Sequence, residues 1–530
     1  MDSKKKKVAV IGSGYTGMCA VWTLKEEGGF EPVCFEKTGR PGGTWCFREE
    51  AIDGVPSIMP STIINHSKEM GALSNIPPPK ESNNFMKHNE IYQYFMEAAK
   101  SKDVLRHIQF NTEVIEVKRT EDYEETGRWI VAVKNTITGE QSTDVYDGVL
   151  VCVGHINRPV MPSFPGQELF KGQIIHTHSL RAVESFRNKN VVVVGMGCSG
   201  LDAAVEISNV ANQVYLSTRS GAHVIQRIGP HGFPFDYNLV RRWTFRLFDI
   251  FPMNFVSWLL EASYTDVQFN QNMYRVKPQY PILYKDPVIN DCITSKLHSG
   301  MIIQKPDIQT FTDDGIVFKG DNEITKIDAV IMATGYTWKF PFLEDGIVVQ
   351  ENGRIKLYKC VYPPHLPHGT LAIIGFVLPF GPAFPVGELQ CRWTTQVLAG
   401  NCKLPSKEVM LQDIEKRYKD NMKRYAPSEK MSIRIDYVQY CDDVASQFGA
   451  KPNLLKLFFT DPKLFMNIYF GPFLSYQFRL QGPHSWEGAR EAIMTCKDRV
   501  VYAIAKKNGI VTEDNIFLKV VKKVLRLFFL

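Results

Sequence analysis

Apolar residues fall along the chain in two kinds of run. Short, uninterrupted runs such as residues 8–11 and 191–194 have the composition of strands buried on both faces, as in a parallel sheet. Longer stretches with apolar positions three and four apart, one ending near Gly28 and another at residues 91–99, predict helices. Runs around 108–117, 129–133 and 145–153 predict further strands. One order occurs twice, at residues 8–35 and 191–217: apolar run, three glycines, helix, second apolar run. A second repeat spans residues 147–154 and 328–335, each opening on aspartate and ending on glycine around an apolar centre. Each copy predicts a strand that closes a sheet where the chain crosses over. The second unit is therefore expected as an insertion between two parts of the first.

The glycines carry the chemistry. Gly12, Gly14 and Gly17 stand in G-x-G-x-x-G spacing, as do Gly195, Gly197 and Gly200, with Cys198 and Ser199 inside the second fingerprint. Free N–H groups and the positive dipole end of a helix starting there hold a pyrophosphate, and glycine lets the backbone come close to it. The residue after the second strand sorts the two units. Glu36 lies 24 positions after Gly12, and Arg219 lies 24 after Gly195. A carboxylate accepts hydrogen bonds from both ribose hydroxyls and repels a 2′-phosphate, so the first unit suits FAD or NAD. Ser217, Thr218, Arg219 and Ser220 place a cation among hydroxyls and suit the 2′-phosphate of NADPH. After Glu36, Gly42 and Gly43, two residues before Trp45, let the backbone pass close to a bound dinucleotide.

The predicted fold is α/β, with two Rossmann-like dinucleotide-binding domains and the NADPH domain inserted in the FAD domain. Residues 1–154 and 332–445 form the FAD domain, 155–226 and 296–331 the NADPH domain, 227–295 a mostly helical insert, and 446–515 a C-terminal region. Residues 516–530 are expected to form an amphipathic membrane helix: Lys519, Lys522, Lys523 and Arg526 make one stripe, and Phe517, Val520, Val521, Val524, Leu525 and Phe528 the opposite face. Fifteen residues reach only about 22 Å, short of a hydrocarbon core of about 30 Å, so the helix is expected to lie in the interface, the alternative being a helix docked on the protein itself.

Composition narrows the class. With 530 residues, 44% hydrophobic and 22% charged, the chain is globular with room for two or three domains. The net charge of +6 is concentrated at Lys4, Lys5, Lys6, Lys7 and the basic stripe of the tail, which leaves the body near neutral and without the basic stripes of a nucleic-acid reader. Eleven scattered cysteines with no C-x-x-C pair indicate reduced thiols and no zinc site, and no cleavable leader is expected at the charged N-terminus. Cys198, at a helix start, is placed where a thiolate is favoured. In the insert, Phe233, Phe235, Trp243, Phe245, Phe251 and Trp258 alternate with Arg241, Arg242 and Arg246. That pattern reads as core, as a surface dipping into headgroups, or as the wall of a substrate tunnel.

The lead-in Phe170-x-Gly172-x-x-x-His176, with Arg181 beyond it, resembles the identifying motif of flavin-containing monooxygenases. The chain is similar to that family also at Asn65 with Ser67-Lys68-Glu69-Met70, at Ser217-Thr218-Arg219-Ser220, and at Ala333-Thr334-Gly335-Tyr336. The likeness continues through Glu388-Leu389-Gln390 to Trp486-Glu487-Gly488-Ala489-Arg490 and covers nearly the whole chain, being greatest for the membrane-associated animal branch that forms N-oxides. Three departures stand out: Leu180 replaces an aromatic residue, Cys198 an asparagine and Thr44 a leucine.

The resemblance implies FAD and NADPH as cofactors, with Thr334 and Gly335 added to the cofactor-binding set. It implies a peroxyflavin supported by Asn65 that hands one oxygen of O2 to a soft nucleophile, an amine nitrogen or thioether sulfur of a small molecule, as in xenobiotic metabolism. It places the enzyme on the cytosolic face of the endoplasmic reticulum membrane, held by 516–530, with the insert 227–295 as either a second membrane contact or a tunnel wall, and with homo-oligomerisation open. Baeyer–Villiger oxygenation of ketones and an uncoupled NADPH oxidase releasing peroxide are the alternatives within catalysis. A disulfide reductase needs a cysteine partner that Cys46 lacks, and a nucleotide sensor without turnover is the non-enzyme reading.

Overall fold

Each uninterrupted apolar run becomes the central strand of its own parallel sheet in the computed structural model, which describes residues 5–351 and 353–507. In chain order the elements that build the two sheets are β1 (Lys6–Ile11), α1 (Tyr15–Glu27), β2 (Phe30–Phe35), β3 (Ile108–Gln109), β4 (Gly148–Val151), β5 (Gln173–His176), β6 (Asn190–Val194), α2 (Cys198–Ile207), β7 (Gln213–Ser217), β8 (Ile302–Lys305), β9 (Ala329–Met332), β10 (Leu371–Ile373) and α3 (Ala383–Ala399). The first sheet runs β10-β4-β1-β2-β3 and the second β8-β7-β6-β9-β5, every pair parallel. Val8, Ala9, Val10, Val191, Val192 and Val193 are fully buried, because helices cover one face of each sheet and a small antiparallel sheet the other: Ala9 packs with Val117 and Trp129, Val192 with Ile308 and Ile316.

The second sheet's strands lie between β4 and β10 of the first, so the chain leaves one sheet and returns to it. The two crossings run side by side. Gly154 and Gly335 both have positive φ (70° and 86°), and between them Arg158–Pro159 pairs antiparallel with Tyr336–Thr337. The 147–154 and 328–335 repeats thus mark corresponding strand ends. A three-stranded antiparallel sheet, Thr112–Arg119, Trp129–Asn135 and Gln141–Tyr146, packs beside the first sheet.

The insert is helical over Phe235–Leu239, Arg242–Ile250 and Met253–Leu260. Its aromatics divide between uses: Phe245 is buried in the main core, while Phe251, Phe255 and Trp258 are exposed. The three arginines do not share one surface with the exposed aromatics. Arg242 is buried on Asp442 (2.8 Å) and Gln477, Arg241 donates to the Tyr237 carbonyl (3.0 Å), and Arg246 alone of the three is exposed. Guanidinium groups bury when carboxylate and amide acceptors satisfy them, which a pattern of charge along the sequence does not reveal. Helix Pro462–Tyr469 lies next to Arg242–Ile250, helix Leu454–Thr460 packs on Pro462–Tyr469, and the two also expose Leu455, Phe458, Phe459 and Met466. Among the described residues no helix is long and apolar enough to cross a membrane, and the expected helix at 516–530 lies outside them.

Candidate active site

The two fingerprints fold alike, down to the atoms that demand glycine. Gly12 takes φ +93°, where an added Cβ would stand 2.9 Å from the Cys152 carbonyl oxygen; Gly195 takes φ +109°, with the Ala333 oxygen 2.5 Å away. Cys152 and Ala333 are equivalent, each donating its N–H to the central strand, at Ile11 and Val194. Gly17 and Gly200 are packing positions: a Cβ on either would meet the carbonyl oxygen of the first glycine at 1.8 and 2.0 Å. The middle glycines face open space. A Cβ on Gly14 would meet only Gly43 Cα at 3.7 Å, and one on Gly197 would meet nothing within 4 Å. Each middle glycine caps its helix without a side-chain hydrogen bond, and neither first turn holds a carboxylate. Both helix starts therefore present free N–H groups to an anion.

The first fingerprint opens on a cavity of about 520 Å³ lined by Gly12, Gly14, Glu36, Gly42, Gly43 and Trp45, and also by Tyr15, Arg48, Asn157 and Arg158. Gly42 donates its N–H to the Ser13 carbonyl (2.9 Å), which fastens the glycine pair to the fingerprint. Glu36 stands at the end of β2 with both oxygens in use: Oε2 accepts from Ser13 N–H (3.0 Å) and hydroxyl (2.7 Å), Oε1 from Thr38 N–H (3.0 Å) and hydroxyl (2.7 Å). A ribose reaching this carboxylate would take the places of the two rotatable hydroxyls, while the two N–H groups would keep the carboxylate aimed.

At the second fingerprint the expected hydroxyl cluster separates. Ser217 is the last residue of β7, buried, and its hydroxyl donates to the Pro306 carbonyl at 2.8 Å, so it is not available to a phosphate. Thr218 accepts the Gly221 N–H (3.0 Å) and closes the turn. Arg219 and Ser220 are the exposed members, and Cys198 and Ser199 are exposed at the start of α2. Thr334 and Gly335 lie at the chain crossing, outside the cavity wall, with the Thr334 hydroxyl on the Val160 carbonyl and Val160 N–H on the Gly335 oxygen (3.0 Å). Leu180, expected as a missing aromatic contact, is buried in the second sheet's core, and Arg181 bridges to the first unit through the Arg48 carbonyl (2.7 Å).

Asn65 sits between the two units. Its Nδ2 is 3.5 Å from Cys198 Sγ, and its Oδ1 accepts from Arg227 at 2.9 Å. The neighbouring His66 ring packs 4.9 Å from Phe384, which also contacts Tyr15 and Trp45 of the cavity wall. Burial lowers His66 to about 4, so the ring is neutral. The expected thiolate at Cys198 is corrected. Solvent reaches the residue, but protein packed about the sulfur and then the Asp202 carboxylate, one turn along α2, push the thiol above its ordinary range. Asp202 is itself raised to about 6 by burial. These effects oppose the helix dipole.

Two nucleotide cradles on parallel sheets, joined by an inserted crossing and with a polar side chain held between them, define a two-dinucleotide flavoprotein oxidoreductase. The Flavin-binding monooxygenase-like family model matches residues 5–530. The chain is 40% identical over 98% of its length to flavin-containing monooxygenase 2 of Homo sapiens, covering 97% of it. It is 42% identical over 94% of its length to flavin-containing monooxygenase 5 of Cavia porcellus, covering 92%. Among solved structures it is similar to S-allyl-L-cysteine S-oxygenase from Allium sativum (TM-score 0.64, 22% identity, 94% of this chain and 99% of that one). It is also similar to an open crystal structure of cyclohexanone monooxygenase (TM-score 0.62, 16% identity, 84% and 98%). The chain belongs to the flavin-binding monooxygenase family, and it is a monooxygenase.

Sequence reasoning missed the residues that hold Asn65. Arg227 stood only as the first residue of an insert, and its partner lies 162 positions away, beyond any spacing rule.

Proposed function

We propose that the protein uses NADPH and bound FAD to place one oxygen atom of O2 on a soft nucleophile of a small molecule, an amine nitrogen or thioether sulfur, and releases the other as water. The observation that carries this reading is the position of Asn65, within 3.5 Å of Cys198 in the second fingerprint and next to His66, whose ring meets Phe384 behind Tyr15 and Trp45 of the first cavity. The names of relatives supply the reaction class, among them the N-oxide-forming dimethylaniline monooxygenase 2 of Mus musculus.

FAD fits the first cradle: the N–H groups after Gly14 and the Gly42–Gly43 backbone would hold its pyrophosphate, and Glu36 its adenosine ribose. NADPH fits the second, where the backbone at Gly197 would hold its pyrophosphate and Arg219 its 2′-phosphate. Hydride acceptance and oxygen activation are chemistry the bound flavin supplies. The chain's own task is to hold the two cofactors in one cleft, keep water out, and present the Asn65 amide N–H as a donor.

The test is a stoichiometry. NADPH consumed, peroxide released and product formed are followed with and without a tertiary amine or a thioether. Product equal to NADPH with little peroxide supports coupled N- or S-oxygenation; an ester or lactone formed from a ketone moves the reaction to the Baeyer–Villiger type. Peroxide equal to NADPH whatever is added identifies an oxidase. Asn65→Ala is expected to keep flavin and NADPH oxidation while releasing peroxide.

We place the enzyme on the cytosolic face of an internal membrane such as the endoplasmic reticulum, with residues 516–530 in the lipid interface. The exposed Phe251, Phe255, Trp258, Leu455 and Phe459 support a membrane-facing side.

A further inference from the structure

One loop of the insert grips the turn that carries Asn65 from two sides. Arg227 donates Nε to the Ile64 carbonyl (3.0 Å) and Nη2 to the Ile63 carbonyl (3.0 Å) and Asn65 Oδ1 (2.9 Å), while its Nη1 pairs with Asp291 (2.7 Å). Nine residues on, Asp236 Oδ2 accepts the Ser67 N–H at 2.6 Å. Both are buried, 6% and 2% exposed. The stretch between them closes on itself: Phe235 N–H reaches the Arg227 carbonyl (2.9 Å), Gly229 N–H the Phe233 carbonyl (2.7 Å), and Ile228 bridges Pro234. The two prongs are therefore parts of one stapled loop.

The consequence for Asn65 follows from the donor and acceptor inventory. An amide side chain has one accepting end and one donating end, and a guanidinium only donates. With Arg227 fixed by two backbone carbonyls and Asp291, the end of Asn65 facing it must be the oxygen. The NH2 end must then face Cys198 and the cleft between the two cradles. Without the clamp nothing on this side selects that orientation, and a flipped amide would turn a lone pair, which cannot donate, toward the cleft.

We propose that Arg227 and Asp236 are positioning residues that set the place and the amide orientation of Asn65, and through it the coupling of NADPH oxidation to oxygen transfer. This rests on the role given to Asn65 above. Neither residue is a catalytic group. Arg227 acts on the amide directly, and Asp236 through the backbone two residues beyond it.

The experiment compares holoenzyme of the wild type, Asp236→Ala, Asp236→Asn and Arg227→Lys by two readouts. Hydrogen–deuterium exchange of the peptide containing residues 63–67 reports whether the turn is held, independently of turnover. The ratio of peroxide released to NADPH oxidised, with a tertiary amine present, reports coupling. Asp236→Ala is expected to speed exchange in the turn about tenfold, as for one lost buried hydrogen bond, and to lower coupled turnover about 10- to 100-fold. Asp236→Asn keeps an oxygen for the Ser67 N–H and is expected to restore both readouts to near wild type. Arg227→Lys cannot reach two carbonyls and the amide together, and is expected to behave as Asp236→Ala does.

Wild-type exchange in both Asp236→Ala and Arg227→Lys would overturn the clamp. Faster exchange with wild-type coupling would overturn its link to Asn65. If Asp236→Ala yields no yellow protein, Arg227→Lys with Asp236→Asn as the restored control decides alone. Full coupling in Asn65→Ala would instead overturn the role assigned to Asn65, and the exchange readout would still report the clamp.

Discussion

The Asn65 amide nitrogen and the Cys198 sulfur lie 3.5 Å apart across 133 positions of sequence. Asn65 belongs to the turn whose His66 meets Phe384 behind Tyr15 and Trp45 of the first cavity, and Cys198 opens the helix behind the second fingerprint. A nucleotide seated at Gly197 therefore approaches the polar side chain of the other unit. Cys198→Asn gives this helix start a strong hydrogen-bonding group, and it is expected to lower the apparent NADPH constant about three- to tenfold, the worth of one hydrogen bond. A titration of initial rate against NADPH reads this directly; an unchanged constant counts against contact between Cys198 and NADPH.

The glycines of the second fingerprint separate binding from folding. Gly197→Ala meets nothing within 4 Å and keeps negative φ, so its melting temperature should match wild type while NADPH binding weakens at least about tenfold as the methyl fills the cradle. Gly200→Ala pushes a methyl to 2.0 Å from the Gly195 oxygen, and is expected to lose stability by about 1–3 kcal/mol. Thermal unfolding beside NADPH titration of the two variants distinguishes the roles.

Selection of NADPH over NADH is predicted to depend on Arg219 and not on Ser217. Arg219→Gln removes a charge-assisted contact and is expected to raise the NADPH constant about 10- to 100-fold, with that for NADH little changed. Ser217→Ala leaves the NADPH constant where it was, because the Ser217 hydroxyl is committed to Pro306, and loses about 1 kcal/mol of stability.

Asp236 makes stability depend on pH. Burial raises it from 3.8 to about 6, so between these values the folded state holds more protons than the unfolded one. Its contribution is fully present below pH 3.8 and is lost as pH rises through about 6. Asp236→Asn cannot ionise and escapes that loss. Its advantage over wild type should be near zero at pH 4 and grow to about 3 kcal/mol at pH 8, as two pKa units imply. Denaturant unfolding across that range measures it, and a constant difference would show that Asp236 keeps its ordinary value.

Deleting residues 516–530 is expected to shift the protein from the membrane pellet to the supernatant on fractionation, at unchanged flavin content. Retention in the pellet would transfer the anchoring role to the exposed aromatics of the insert and of helices Leu454–Thr460 and Pro462–Tyr469.

What the sequence determined by itself is local. The two apolar runs, the glycine spacings and the equal offsets to Glu36 and Arg219 follow from contacts within one strand–turn–helix unit, where sterics and hydrogen bonding act over a few residues. The repeated strand ends at residues 147–154 and 328–335 carried the inserted topology, because each must end in a glycine where the chain turns away. What only the tertiary structure decided is which polar groups remain free once the units pack. Ser217 turned to Pro306, Arg242 to Asp442 and Glu36 to Ser13 and Thr38, and Arg227 and Asp236 closed on the turn around Asn65. A buried donor or acceptor takes whatever partner the fold brings within about 3 Å, and that partner is set by the packing of distant elements, which leaves no period or spacing in the chain to read.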